Sequence, residues 1–66
     1  MRRILIGRRA VVGLLNAFRR HPYIVDELDP KEYEAIVEFF ERSLQFYSDL
    51  RSQYAGFVER LRRRRM

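Results

Sequence analysis

The sequence predicts an all-α protein of one small domain, residues 1–66: a helical hairpin with one helix over about 2–20 and another over about 30–65, paired into a homodimeric helical bundle. Three observations predict it. Apolar residues recur at helical spacing through both segments. A proline and a capping pattern open the second. The second segment is also nearly twice as long as the first, so part of its apolar stripe has no cover within a two-helix hairpin.

In the first helix Ile4, Val11, Leu14, Leu15 and Phe18 share one face. Arg2, Arg8, Arg9, Arg19 and Arg20 share an adjoining one. Gly7 and Gly13 each cost ~1 kcal/mol of helix propensity; either they admit a close neighbouring helix or they simply weaken this one. Pro22 stops the helix, because the residue before a proline disfavours the α region.

The link His21–Leu28 carries Tyr23, Ile24, Val25 and Leu28, too apolar for a free loop. Asp29 then serves as N-cap, Pro30 sits at the first helical position, and Glu32 completes an Asp29-x-x-Glu32 capping box. From there Tyr33, Val37, Phe40, Leu44, Tyr47, Arg51, Tyr54, Val58 and Leu61 follow alternating gaps of four and three, a heptad repeat with Arg51 the one charge in the seam. Ile36, Leu50 and Phe57 widen the stripe on one flank, with Ser43 its polar gap.

At 1.5 Å per residue the first helix is ~28 Å long and the second, if continuous to Arg65, ~54 Å. Leu50, Tyr54, Phe57, Val58 and Leu61 would then lie beyond the reach of the first helix and form a partner or dimer interface. The alternative is a break at Gly56 with residues 57–65 folding back. The heptad phase runs through Gly56 undisturbed, which favours the continuous helix.

Composition narrows the function. Apolar types make up 47%, too many for a disordered chain. With no Cys, disulfides and thiolate metal sites are excluded, and the chain fits a reducing, cytoplasmic compartment. A chain of this size has a marginal core, so oligomerisation or docking on a partner is expected. No uncharged run approaches the ~20 residues of a membrane span. Arg8 and Arg9 interrupt any secretory apolar region, and the acid-free, Arg-rich residues 1–25 lack the serines of a cleaved transit peptide.

The net charge of +5 conceals three blocks. Residues 1–25 hold six Arg and no acid; residues 26–50 hold eight acids against Lys31 and Arg42; residues 51–66 hold six Arg against Glu59. Arginine's planar fork suits phosphate and carboxylate. The expected nucleic-acid-binding residues are Arg2, Arg3, Arg8, Arg9, Arg19, Arg20, Arg60, Arg62, Arg63, Arg64 and Arg65.

Catalysis, a metal and a cofactor find no support in the pattern, and no small-molecule substrate is expected. Glu34, Glu38 and Glu41 line one helix face, but the only His, His21, is distant and better placed to meet a helix C-terminus. Glu38 has Arg42 four residues on, an ordinary surface pair. Ser43, Ser48 and Ser52 have no neighbouring base. Most aromatics fall in the stripe and read as core; Tyr23 and Phe39 fit that reading least well.

A ribbon-helix-helix repressor would open on an alternating strand, which residues 2–9 are not, and a helix-turn-helix reader would need a shorter turn than His21–Asp29. The expected function is therefore non-enzymatic binding to a nucleic-acid backbone, DNA or RNA, through the Arg-rich ends. The alternative is a protein-interaction or assembly subunit working through the apolar stripe of the second helix. A membrane-surface role for the basic first helix is a weaker third reading, since that helix has no Trp and a narrow apolar face.

Overall fold

A computed structural model of the chain describes residues 7–64. Among these residues there are three α-helices, α1 (Arg8–Arg20), α2 (Pro30–Phe46) and α3 (Arg51–Arg64), and two 3₁₀ segments, Pro22–Glu27 and Ser48–Leu50. All-helical architecture is as the sequence predicts, and so are the end of α1 and the start of α2; the end of α2 is not.

The α1 helix begins at Arg8, not near Arg2. Gly7 is extended (φ −68°, ψ 163°) and acts as N-cap, its carbonyl accepting the Val11 N–H at 3.1 Å. Residues 2–6 of the expected helix lie outside the described residues. The helix ends where Pro22 requires: His21 is the C-cap, its N–H bonded to the Ala17 carbonyl. Arg19 and Arg20 in the last turn complement the helix dipole.

The α2 helix starts on its predicted signal. Pro30 is at N1, the Asp29–Glu32 capping box closes, and the Glu32 carboxylate accepts the Asp29 backbone N–H at 3.0 Å.

The main correction lies 17 residues further on. The second helix is not continuous to Arg65, and its break is not at Gly56. The α2 helix stops at Phe46, Tyr47 takes a non-helical conformation (φ −108°, ψ 77°), and the chain turns through Ser48–Leu50. Ser48 and Asp49 are residues whose side chains compete with helical hydrogen bonding. Asp49 forms an ion pair with Arg8 at the start of α1, which anchors the turn. Gly56 lies inside α3. The largest Cα extent is 32 Å, where a continuous helix alone would run ~54 Å.

With this turn α3 folds back antiparallel to α2: Tyr33 near the start of α2 donates its hydroxyl to the Leu61 carbonyl, near the end of α3, at 2.6 Å. The α1 and α3 helices run parallel, since Arg8 meets Asp49 and Asn16 meets Tyr54.

The fold-back buries the surface assigned to a partner. Leu50, Tyr54, Phe57, Val58 and Leu61 join Val11, Leu15, Val25, Val37, Phe40 and Leu44 in the chain's own core. Each large apolar side chain buried in this way contributes roughly 1.5–3 kcal/mol. The expectation that these five residues are left exposed is corrected: Leu50 in the turn and the other four on α3 are covered by the rest of their own chain. The Phe18 and Phe40 rings meet edge-on at 5.4 Å where α1 crosses α2. Arg51 leaves the seam to become the exposed first residue of α3. Ser43, the polar gap, is buried. The link residue Val25 packs into the core, as its apolar setting predicts.

The glycines admit no close helix here. A Cβ on Gly7 or Gly13 would meet nothing within 4 Å, and one on Gly56 only the Arg60 guanidinium at 3.8 Å. Among the described residues no helix is long and apolar enough to cross a membrane.

Candidate nucleic-acid interface

The parallel course of α1 and α3 sets their C-terminal ends at one pole of the bundle. The Pro22–Glu27 segment and the start of α2 lie there too, through Asp26 to Arg64 and Tyr33 to Leu61. Arg19 and Arg20 of α1 therefore share a pole with Arg60 to Arg64 of α3. Helix C-termini carry partial negative charge, which part of this arginine complements.

The expected arginines separate into groups. Arg2, Arg3 and Arg65 lie outside the described residues. Arg8 pairs with Asp49, at the opposite pole. Arg62 pairs with Glu41 of α2 and Arg63 with Glu59 one turn back at 3.7 Å. Arg64 makes a two-pronged contact with Asp26: Nε to Oδ1 at 3.0 Å and Nη2 to Oδ2 at 2.9 Å. The hydrogen bonds that Arg64 donates to Asp26, reinforced by the charge of that carboxylate, raise the Arg64 pKa and keep the guanidinium charged. Arg9, Arg19, Arg20 and Arg60 are exposed and have no carboxylate partner among the described residues.

Three of these arginines meet. Arg19, Arg60 and Arg64 line one concavity of about 190 Å³ between α1 and α3, with Pro22, Phe57 and Leu61 as its apolar lining. Arg19 is held in place twice, with Nη2 3.3 Å from the Asn16 side-chain oxygen and its guanidinium carbon 4.9 Å from the centre of the Tyr54 ring. Arg60 lies back toward Gly56, its Nη1 3.8 Å from where a Cβ would stand. Two of the five stripe residues, Phe57 and Leu61, thus serve as the floor beneath the arginines.

Sequence reasoning named all three arginines without bringing them together, because their meeting depends on the turn at Tyr47. It missed Asp26 as the partner of Arg64. Tyr23, which fits the core reading least well, is 52% exposed. It stands edge-on to His21 at 5.7 Å, with its hydroxyl 3.3 Å from His21 Nδ1. Phe39, the other doubtful aromatic, packs against the core beside Phe40.

The acidic row of α2 lies elsewhere. Glu34, Glu38 and Glu41 border a groove with Lys31, Tyr33 and Arg62, and Glu38 accepts from Arg42 at 3.1 Å, the predicted surface pair. Among the described residues no three His, Cys, Asp or Glu come together in a way that could hold a metal ion.

No protein-family model, curated protein or solved structure matches this chain.

Proposed function

We propose that this protein is a small non-enzymatic module that binds the phosphate backbone of nucleic acid, with its working surface at the pole where α1 and α3 end. The observation that carries this reading is the convergence of Arg19, Arg60 and Arg64 on one concavity, two of them without a carboxylate partner among the described residues. Arg19 and Arg60 are like charges gathered over an apolar floor beside the Asp26-paired Arg64, and they repel one another. An anion placed between them relieves that repulsion, and guanidinium forks match the oxygens of a phosphate. Arg20 and Arg63, exposed at the same pole, extend the basic surface. The assembly alternative rested on the apolar stripe of the second helix, and that stripe faces inward.

The test is binding of labelled duplex and single-stranded oligonucleotides across ~50–200 mM salt, with polyglutamate as an acidic control. Three phosphate contacts give a slope of about −2.7 in log K against log salt, a roughly 40-fold loss over that range. Arg60→Ala should weaken binding uniformly across sequences and reduce the slope by about 1. Salt-insensitive binding, or equal binding to polyglutamate, would overturn the reading.

A further inference from the structure

Tyr23 is the exposed aromatic of the Pro22–Glu27 segment. In a 3₁₀ segment residues three apart eclipse one another. In Pro22–Glu27 the inward face is half-buried Pro22 with buried Val25, and the outward face is Tyr23 with Asp26. Asp26 is the carboxylate that holds Arg64, and Pro22 itself lines the arginine concavity. Tyr23 thus shares the outward face of its segment with the carboxylate that holds Arg64, next in sequence to a residue that lines the concavity. Val25, not Tyr23, packs into the core, and the Tyr23 ring makes a T-shaped contact with His21. Pro22 fixes the backbone that carries it.

Resting on the phosphate reading above, we infer that Tyr23 is a stacking platform for an unpaired base whose neighbouring phosphates are held by Arg19, Arg60 and Arg64, so that the preferred partner is single-stranded nucleic acid. A duplex keeps its bases stacked inside and offers such a surface only phosphates. A single strand can splay a base outward onto an aromatic face while its backbone follows the positive groove. Every base has a π-face, so this contact selects strandedness without selecting sequence.

The experiment compares three labelled ligands of equal length by fluorescence anisotropy: a single-stranded oligonucleotide, its duplex, and an abasic sugar-phosphate oligomer. The proteins are the native chain, Tyr23→Phe and Tyr23→Ala, with circular dichroism confirming that each folds. The native chain and Tyr23→Phe should prefer the single strand to both other ligands. Tyr23→Ala should lose on the order of tenfold on the single strand and nothing on the abasic oligomer. Equal losses on both, or no loss on the single strand, would overturn the inference. Salt-dependent binding that persists in that case would leave the phosphate reading standing. No salt-dependent binding to any of the three ligands would overturn both.

Discussion

The Tyr54 hydroxyl donates to the Asn16 side-chain oxygen at 2.9 Å, joining α3 to α1 inside the bundle. Tyr54 is 1% exposed, and Arg19 lies over its ring. One residue thus closes the core, satisfies a polar group and supports a member of the basic site. Tyr54→Phe removes the hydrogen bond while keeping the ring. Asn16 retains its contact with Arg19, so the loss should stay near ~1 kcal/mol. Tyr54→Ala empties the core and should cost ~3–5 kcal/mol, enough to unfold most of a marginal domain. Urea melts of the two variants check both values. Because the phenylalanine ring still supports Arg19, Tyr54→Phe should bind nucleic acid as the native chain does.

The two mid-helix glycines test whether the outward faces of α1 and α3 are bare. Gly13 and Gly56 have negative φ, and a Cβ at either clashes with nothing. Gly13→Ala and Gly56→Ala should each raise stability by roughly 0.5–1 kcal/mol. For a domain of this size that is a rise in Tm of several degrees, with ~4–8 °C expected per kcal/mol. A fall in stability for Gly13→Ala would mean that something packs closely on α1.

How far the sequence reaches is clearest at the two ends of α2. Its start was legible because Asp29, Pro30 and Glu32 are local signals, each acting on backbone groups a few residues away. The end of α1 at His21–Pro22 was legible for the same reason. The end of α2 was not. Phe46, Tyr47, Ser48 and Asp49 hold no Gly or Pro, and the heptad phase continues through them. What decides the turn is non-local: folding back buries Leu50, Tyr54, Phe57, Val58 and Leu61 within one chain, and Asp49 finds Arg8 forty-one residues away. The basic site inherits that illegibility. Arg19, Arg60 and Arg64 are evident as arginines, and their convergence follows only once α3 has returned along α1.

Asp26 competes with any anion for Arg64, so its removal should strengthen binding. Asp26→Asn leaves an isosteric side chain and frees a guanidinium that already lines the concavity. Affinity for oligonucleotides should rise and the salt slope should steepen, both read by anisotropy. Folding stability should scarcely change, because an exposed pair is screened by water and salt. The sign with pH agrees. The Arg64 pKa is raised, chiefly by its hydrogen bond to Asp26, so the contribution of its charged form is present throughout the neutral range. It is lost only as pH rises beyond the ordinary range of arginine. Titration of Arg64 should therefore leave both binding and stability flat around neutrality.

The fold-back makes a different prediction for Leu61 than a dimer interface would. If a second copy covered Leu61, a polar substitution would dissociate the pair, and the unfolding midpoint would depend on protein concentration. With Leu61 packed among Phe57, Val58 and the core of its own chain, Leu61→Ala should instead cost ~2–5 kcal/mol through the cavity it leaves. The midpoint should be the same at every protein concentration. Labels at Lys31 and Arg63 give an independent reading of the same geometry. Thirty-two residues of continuous helix would hold them ~48 Å apart. The antiparallel return of α3, which brings the Leu61 carbonyl to the Tyr33 hydroxyl, should bring them within a fraction of that distance. Energy transfer or spin-label measurements on the native chain should show the short separation. The same distance in Asp49→Ala would show that apolar burial, more than the Arg8–Asp49 pair, holds the turn.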